Sequence, residues 1–524
     1  MSETPGNPTP WEGGTGLPAI ARNVSTRYLA ITVEAGLGLV LLPFNLAHLG
    51  QSTYGLWMVA ASITAYFSIL DLGYGGALVK FVAQYRAKRD AAAINEILST
   101  LWILFTAVGV VAWLVAAVLA YNLDVFFGLT PDQAVTGRYV LLIVSANVAV
   151  GFAFSVFGAV INGFQRYDLN NFVGMASSVL VAVVNVAVLA AGYGLVELVA
   201  ATTAVRLASY AVYRYNAYRV YPALSISVRL ARGARLREVT GFSAFMLLLD
   251  WAAKVNYSVD ALVIGSVLGT APVAVWTVAQ RLAEGVQRIT NQLNEVLFPA
   301  VVDSDAENRA DRLQLIFIQG TRLSLAAVLP AACTLGLLAG PVITAWVGPG
   351  YEAAIVVLHV LALVVAIRVG TATSTTVLKG AGKHRLLALN NVVTAAGNLL
   401  LSLVLVRRFG MAGVAYGTLV PVAAASLFVL FPAACRRVGL DIGVGLREAV
   451  WPAAWPGLVV AAWLAAVRPF VAPSLVAVAI HAAVAGLIYV ALFLRWGLPQ
   501  QDRRLYLSKA AVLLARVRRA EATT

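Results

Sequence analysis

Charged side chains vanish from this chain for long intervals. No Asp, Glu, Lys or Arg occurs in 35–70, 97–123, 139–165, 169–196, 409–435 or 469–494. Each run is at least as long as the ~20 residues a helix needs to cross the hydrocarbon core of a bilayer. Backbone groups in lipid must be hydrogen-bonded within the segment, so these runs are helices. The alternation over ~10 residues that marks a membrane β-barrel is missing. Hydropathy and helix breakers predict fourteen spans, near 28–48, 54–77, 99–121, 139–162, 172–192, 195–213, 241–267, 272–299, 314–338, 353–377, 386–406, 411–435, 449–467 and 474–494. The expected fold is an all-α polytopic membrane protein.

Composition agrees. Of 524 residues 60% are hydrophobic and 12% charged, with a mean hydropathy of +0.83; soluble domains carry about 25% charged residues. If the N-terminus is cytoplasmic, the inside segments hold 28 of the 38 Lys and Arg residues and the outside ones only Arg138, Arg407, Arg408 and Arg468. That bias orients the chain as a multi-pass membrane protein with both termini in the cytoplasm. The net charge of +14 therefore records topology signals, and nucleic acid binding is not expected. Residues 1–24, opening MSETPGNPTPWEGGTG, have no signal-peptide core and read as a disordered tail. Residues 215–240 form a basic cytoplasmic linker, entered through Arg214 and Arg219, and 497–524 a basic amphipathic tail lying on membrane lipids. The cytoplasmic loop Asp303–Arg312 is unusually acidic for its side. Cys333 and Cys435 sit in apolar stretches as packing residues. The four histidines make no ligand spacing, so neither metal nor cofactor is expected.

The informative residues are basic ones inside the spans: Arg206, Lys254, Arg281, Arg288, Arg322 and Arg368. Each costs about 2.5–3.5 kcal/mol at a bilayer centre. They either line a polar cavity for an anion or pair within the bundle. In the eighth span Thr277, Arg281, Glu284, Arg288, Asn291 and Asn294 or Glu295 share one helix face. The seventh span adds Asp250, Lys254 and Asp260. Two readings stand for these groups, substrate or ion handling and mutual neutralisation. Glu34 and Asp71 are the acids of the first two spans and are candidates for a coupling proton or cation. Pro43 permits either a hinge or a fixed bend in the first span.

The chain also repeats. Leu49-Gly50 followed by Trp57, Val59 and Ala60 returns as Leu268-Gly269 followed by Trp276, Val278 and Ala279. At nearly the same offset Leu169-Asn170-Asn171 returns as Leu389-Asn390-Asn391, and Gly163–Arg166 has its counterpart in Gly380–Arg385. Six helices per copy give two parallel repeats, an N-terminal lobe (25–214) and a C-terminal lobe (241–437), around a central cavity, as in alternating-access transporters. Residues 438–496 are two appended helices. The charged stripe belongs to the second copy only, since Ser62, Ala65 and Ile69 occupy the first-copy positions equivalent to Arg281, Glu284 and Arg288.

Leu42–Arg86, through Leu49-Gly50, Tyr54-Gly55-Leu56-Trp57 and Asp71-Leu72-Gly73, resembles the polysaccharide-export (O-antigen flippase-like) branch of the multidrug/oligosaccharidyl-lipid/polysaccharide exporter superfamily. Asp260–Leu282 is similar to that family's seventh-to-eighth helix region. The resemblance implies a flippase for undecaprenyl-diphosphate-linked oligosaccharide, working by alternating access with ion or potential coupling. It further implies a central cationic cavity and a glycan polymerase as candidate partner of a monomeric transporter. Lipid II flippases of the superfamily usually carry arginines in their first two helices; here those spans have none, which argues against peptidoglycan precursor. The alternatives are a cation-coupled multidrug exporter and, from another class, a membrane glycosyltransferase or glycan polymerase. The last needs a sizeable extracytoplasmic loop, and no predicted loop there exceeds roughly 20 residues. The expectation is a transporter and not an enzyme.

Overall fold

The computed structural model describes residues 17–67, 74–498 and 503, with side chains from residue 22 except at 241–258, 289, 291–293 and 295. Among the described residues the regular structure is all helix, with no strand, and ten helical stretches are long and apolar enough to cross a membrane. Non-helical glycines, Gly50 and Gly410, break two of these stretches into two helices each.

The chain folds as two compact units, one reaching to Thr277 and including Val406–Gly410, the other formed by Val278–Leu405 and the chain from Met411. The first unit holds α1 (Leu17–Phe67), α2 (Tyr74–Ala87), α3 (Ala91–Tyr121), α4 (Leu123–Phe127), α5 (Pro131–Gly163), α6 (Tyr167–Ala190), α7 (Leu195–Val220) and α8 (Gly233–Leu268). α9 (Thr270–Ala306) begins in it. The second unit continues with α10 (Ala310–Leu337), α11 (Ala339–Val347), α12 (Ala353–Gly370), α13 (Ala372–Gly380), α14 (His384–Ala424), α15 (Phe431–Arg437) and α16 (Ile442–Gly445). It ends with α17 (Trp451–Val467) and α18 (Leu475–Leu492).

The internal repeat is visible in the backbone. Ten of the twelve described residues with positive φ fall into pairs: Gly50 and Gly269, Arg89 and Asn308, Gly128 and Gly348, Gln165 and Gly382, Gly192 and Gly410. Their separations along the chain are nearly constant, so the two copies turn at the same places. The starts of α3 and α10 are spaced in the same way. Gly50 (φ 73°, ψ 168°) and Gly269 (φ 90°, ψ −179°) share a conformation open essentially to glycine alone. The break in α1 is therefore at Gly50, while no departure from helical geometry occurs at Pro43. Gly50→Ala and Gly269→Ala are each expected to lose about 1–3 kcal/mol, read as a lowered thermal midpoint of the purified protein.

Apolar burial drives little association in lipid, so close backbone approach and polar contacts carry the packing. A Cβ on Gly109 would meet the Ala149 carbonyl at 2.5 Å, and one on Gly417 would meet Ser402 Oγ at 2.4 Å. The start of α5 is set by Pro131 and a capping box between Thr130 and Gln133. Gln133 then donates to Ser52 Oγ (2.7 Å), which lies 3.2 Å from Thr270 Oγ1. The appended helices are part of the second unit's core. Val460, Leu464 and Tyr489 are buried with Leu325 and Leu338, and Tyr489 donates to the Ala453 carbonyl (2.8 Å). Cys333 and Cys435 are free, Cys435 buried among Phe317, Phe431 and Val438.

Three boundaries differ from the sequence expectation. Helix begins at Leu17, inside the segment expected to be a disordered tail; residues 1–16 lie outside the described residues. The reason is a tether, for Asn23 donates to the Gln165 carbonyl and accepts from Asp168 N, and Asn171 donates to Thr26 Oγ1. The predicted linker 215–240 shrinks to 221–232, because α7 runs to Val220 and α8 starts at Gly233. What remains is laced to the start of α3: Asn95 donates to Ala223 O and accepts from Ser225 N, Ser227 N donates to Ser99 Oγ, and Arg232 N to Thr100 Oγ1. Beside it Arg235 bridges Glu96 (3.1 Å), Glu238 (3.1 Å) and Tyr85 Oη (2.9 Å), while Tyr85 donates to Glu238 (2.5 Å). That bond holds the Glu238 carboxyl below its ordinary range. Burial, together with the Glu238 bond, pushes the Tyr85 phenol up to about 12. Finally, the acidic loop has a structural use, since Asp305 pairs with Arg437 and Glu307 with Arg309. The expected amphipathic tail lies outside the described residues from 499, apart from 503.

Candidate functional site

Helical periodicity places the α9 stripe on one face, but its environment changes along the helix. Thr277 is buried and satisfied by the Val273 carbonyl (2.8 Å). The middle is open: Arg281 and Arg288 are exposed, and Glu284 is half-buried between them. Glu284 accepts from Gln280 Nε2 (2.8 Å) and pairs with Arg288 (3.4 Å). No carboxylate among the described residues pairs with Arg281. Mutual neutralisation thus accounts for Arg288, and among the described side chains of the stripe Arg281 keeps its positive charge without a carboxylate beside it.

Asn294 departs from the expectation that it continues the open stripe. It is 7% exposed and turned inward, donating to Ser324 Oγ (3.2 Å) and accepting from Thr373 Oγ1 (2.9 Å). This joins α9, α10 and α13 at the break between α12 and α13. A polar network of this kind supplies interhelical hydrogen bonds where a helix is interrupted. The side chains of Asn291 and Glu295 lie outside the described residues.

The other embedded residues are dispersed. Arg322 is 8% exposed and donates through Nε to the Glu448 carbonyl (2.5 Å), just before α17. It ties the appended segment to α10. Arg368 stands in the last turn of α12, where a cation complements the helix dipole. Arg206 is exposed on α7. Asp260 is 6% exposed and lies within electrostatic reach of Tyr66, whereas Glu34 is exposed and within reach of Tyr213. Asp71 lies outside the described residues, as do the side chains of Asp250 and Lys254. Among the described residues no three His, Cys, Asp or Glu side chains gather as a metal site.

One group is missing from the sequence expectation. Arg214 and Arg219, expected in the cytoplasmic connection, are both on α7, where Arg206, Tyr210, Arg214 and Tyr218 recur every four residues. That spacing is legible only once the helix is known to continue past residue 213.

Probable flippase AglR of Haloferax volcanii is 22% identical to this chain over 420 residues, 78% of this chain and 83% of that protein. In fold the chain is similar to the lipid II flippase MurJ in its inward closed conformation, with a TM-score of 0.66 and 12% identity over 89% of this chain and 98% of that one. It is also similar to an inward-facing multidrug resistance MATE family transporter of the MOP superfamily (TM-score 0.59, 16% identity, 80% of this chain and 98% of that one). At these identities the structural likeness speaks for the fold, which is that of MOP superfamily transporters. The family model described as polysaccharide biosynthesis protein matches residues 20–305, more than half of the sequence, and the chain belongs to that family.

Proposed function

We propose that the chain is a flippase carrying undecaprenyl-diphosphate-linked oligosaccharide from the cytoplasmic to the outer leaflet by alternating access, driven by an ion gradient or the membrane potential. The observation that carries this reading is Arg281, an exposed guanidinium on the polar face of α9, without a carboxylate partner among the described residues. A diphosphate is the natural partner for such a group, because guanidinium–phosphate hydrogen bonds are charge-assisted and bidentate. Low surrounding dielectric strengthens them further. Arg288, two turns along the same face, supplies a second cation, and Glu284 competes with the diphosphate for it and so favours release. Membership of a polysaccharide biosynthesis family and likeness to a probable flippase support the same cargo class. The protein on this reading sits in the cytoplasmic membrane with both termini inside and catalyses no covalent step.

Deleting the gene in its own host and measuring the lipid-linked sugar pool tests this. Accumulation of undecaprenyl-diphosphate oligosaccharide on the inner leaflet with loss of surface glycan is the expected result. An unchanged pool, with altered sensitivity to cationic drugs, would overturn it in favour of a multidrug exporter.

A further inference from the structure

α7 is the least apolar of the ten candidate spans, and its polar residues are ordered. Arg206, Tyr210, Arg214 and Tyr218 alternate cation and aromatic ring at i,i+4 spacing, a single face of the helix. That face packs on α5. Tyr210 stacks on Phe154 (5.8 Å between centroids, 25° between planes), and Gly151 makes room for its hydroxyl, since a Cβ there would stand 2.8 Å from Oη. Tyr218 meets Phe157 at 6.3 Å, and the Arg214 guanidinium lies 5.8 Å from the Tyr218 ring. Here an open surface groove is lined by Phe154, Ala211, Arg214, Tyr215 and Tyr218.

Interfacial tyrosines and arginines are common as membrane anchors, where each reaches singly into the headgroups. This set differs in shape. Two of its tyrosines are turned back against phenylalanines of a neighbouring helix, and Tyr218 and Phe154 border the groove with one cation, Arg214, in it. Arg214 is exposed, and among the described residues no carboxylate pairs with it. It stands six residues before the end of α7 at Val220, about 9 Å along the axis. Arg206 follows on the same face about 12 Å closer to the start of α7.

A cation beside aromatic side chains, close to the end of α7, fits a phosphate carrying a sugar: the guanidinium takes the phosphate and the rings beside it take the apolar face of the pyranose. We propose that the α5–α7 groove is a loading site for the phosphate–sugar junction of the lipid-linked glycan, occupied before the cargo reaches the arginines of α9. This rests on the flippase reading and on its cytoplasmic placement of the end of α7.

The test is equilibrium binding of farnesyl-diphosphate-linked N-acetylglucosamine to the full chain in phosphatidylcholine nanodiscs. It is done for the wild type and on an Arg281→Ala/Arg288→Ala background that leaves the α7 groove intact. On that background Arg214→Gln and Tyr218→Leu are each expected to weaken binding about tenfold, with Arg214→Lys losing less; unchanged thermal midpoints exclude misfolding. Excess phosphatidylglycerol is expected to compete poorly. No probe binding by the wild type would remove the flippase reading together with the groove. Binding that Arg214→Gln leaves unchanged would remove the groove alone. Equal displacement by phosphatidylglycerol would also overturn it, making the groove a seat for bulk anionic lipid.

Discussion

With Arg281 and Arg288 both replaced by alanine, the protein is expected to reach the membrane folded and to leave its lipid-linked sugar on the cytoplasmic leaflet. Both side chains are exposed, and the Arg288–Glu284 pair is 60% and 25% exposed on its two sides. Loss of an exposed pair of this kind changes stability by about 1 kcal/mol at most. The cargo loses much more. A hydrogen bond to a charged partner is worth about 1.5–3 kcal/mol, so each arginine accounts for roughly 10- to 150-fold in diphosphate affinity. Together they should lower translocation by at least about 100-fold, measured as protection of a fluorescent lipid-linked sugar from reduction in proteoliposomes. Arg281→Lys/Arg288→Lys keeps the charge but not the bidentate geometry, and an intermediate rate is expected. Glu284→Gln should do the opposite to binding: the cargo is held more tightly and released more slowly. Normal transport by the double alanine variant would take the α9 stripe out of the site.

Gly55→Ala is expected to prevent accumulation of folded protein. In the native backbone a Cβ at this position would lie 1.8 Å from the Thr270 carbonyl oxygen and 2.6 Å from its carbon. Both atoms are main chain, so no rotamer change relieves the overlap, and the second half of α1 must move off the start of α9. Overpacking of a tight contact typically costs about 1–3 kcal/mol and sometimes more; a backbone-on-backbone clash belongs at the upper end. The shift would also separate Ser52 from Thr270 and disturb the Gln133 bond that holds the start of α5. Size-exclusion profile and thermal midpoint in detergent read the effect. Gly36→Ala is the control, because nothing stands within 4 Å of a Cβ there. A wild-type midpoint for Gly55→Ala would show that the two helices do not need this approach.

Much of the architecture follows from the sequence because lipid is a demanding solvent. Long charge-free runs can only be helices when no water is present to satisfy the backbone. The two Leu-Gly junctions marked a repeat that the backbone then displays at five paired turns, from Gly50 and Gly269 to Gly192 and Gly410. Turn positions survive in sequence because a left-handed φ restricts the residue that can occupy it. Membership of the polysaccharide biosynthesis family was legible in the same stretches.

The sequence could not sort its embedded polar residues, and only the tertiary structure did. Arg281, Arg322 and Asn294 look alike along the chain, each a polar residue in an apolar helix. In the fold Arg322 is bound to the Glu448 carbonyl, Asn294 is held by Ser324 and Thr373, and Arg281 stays open. Likewise Arg214 changed from a loop residue to part of an ordered helix face when α7 proved to run to Val220. A helix's own periodicity says which residues share a face; what that face meets is set by neighbours distant in sequence. That distinction decides whether a buried charge is structural or available to a ligand.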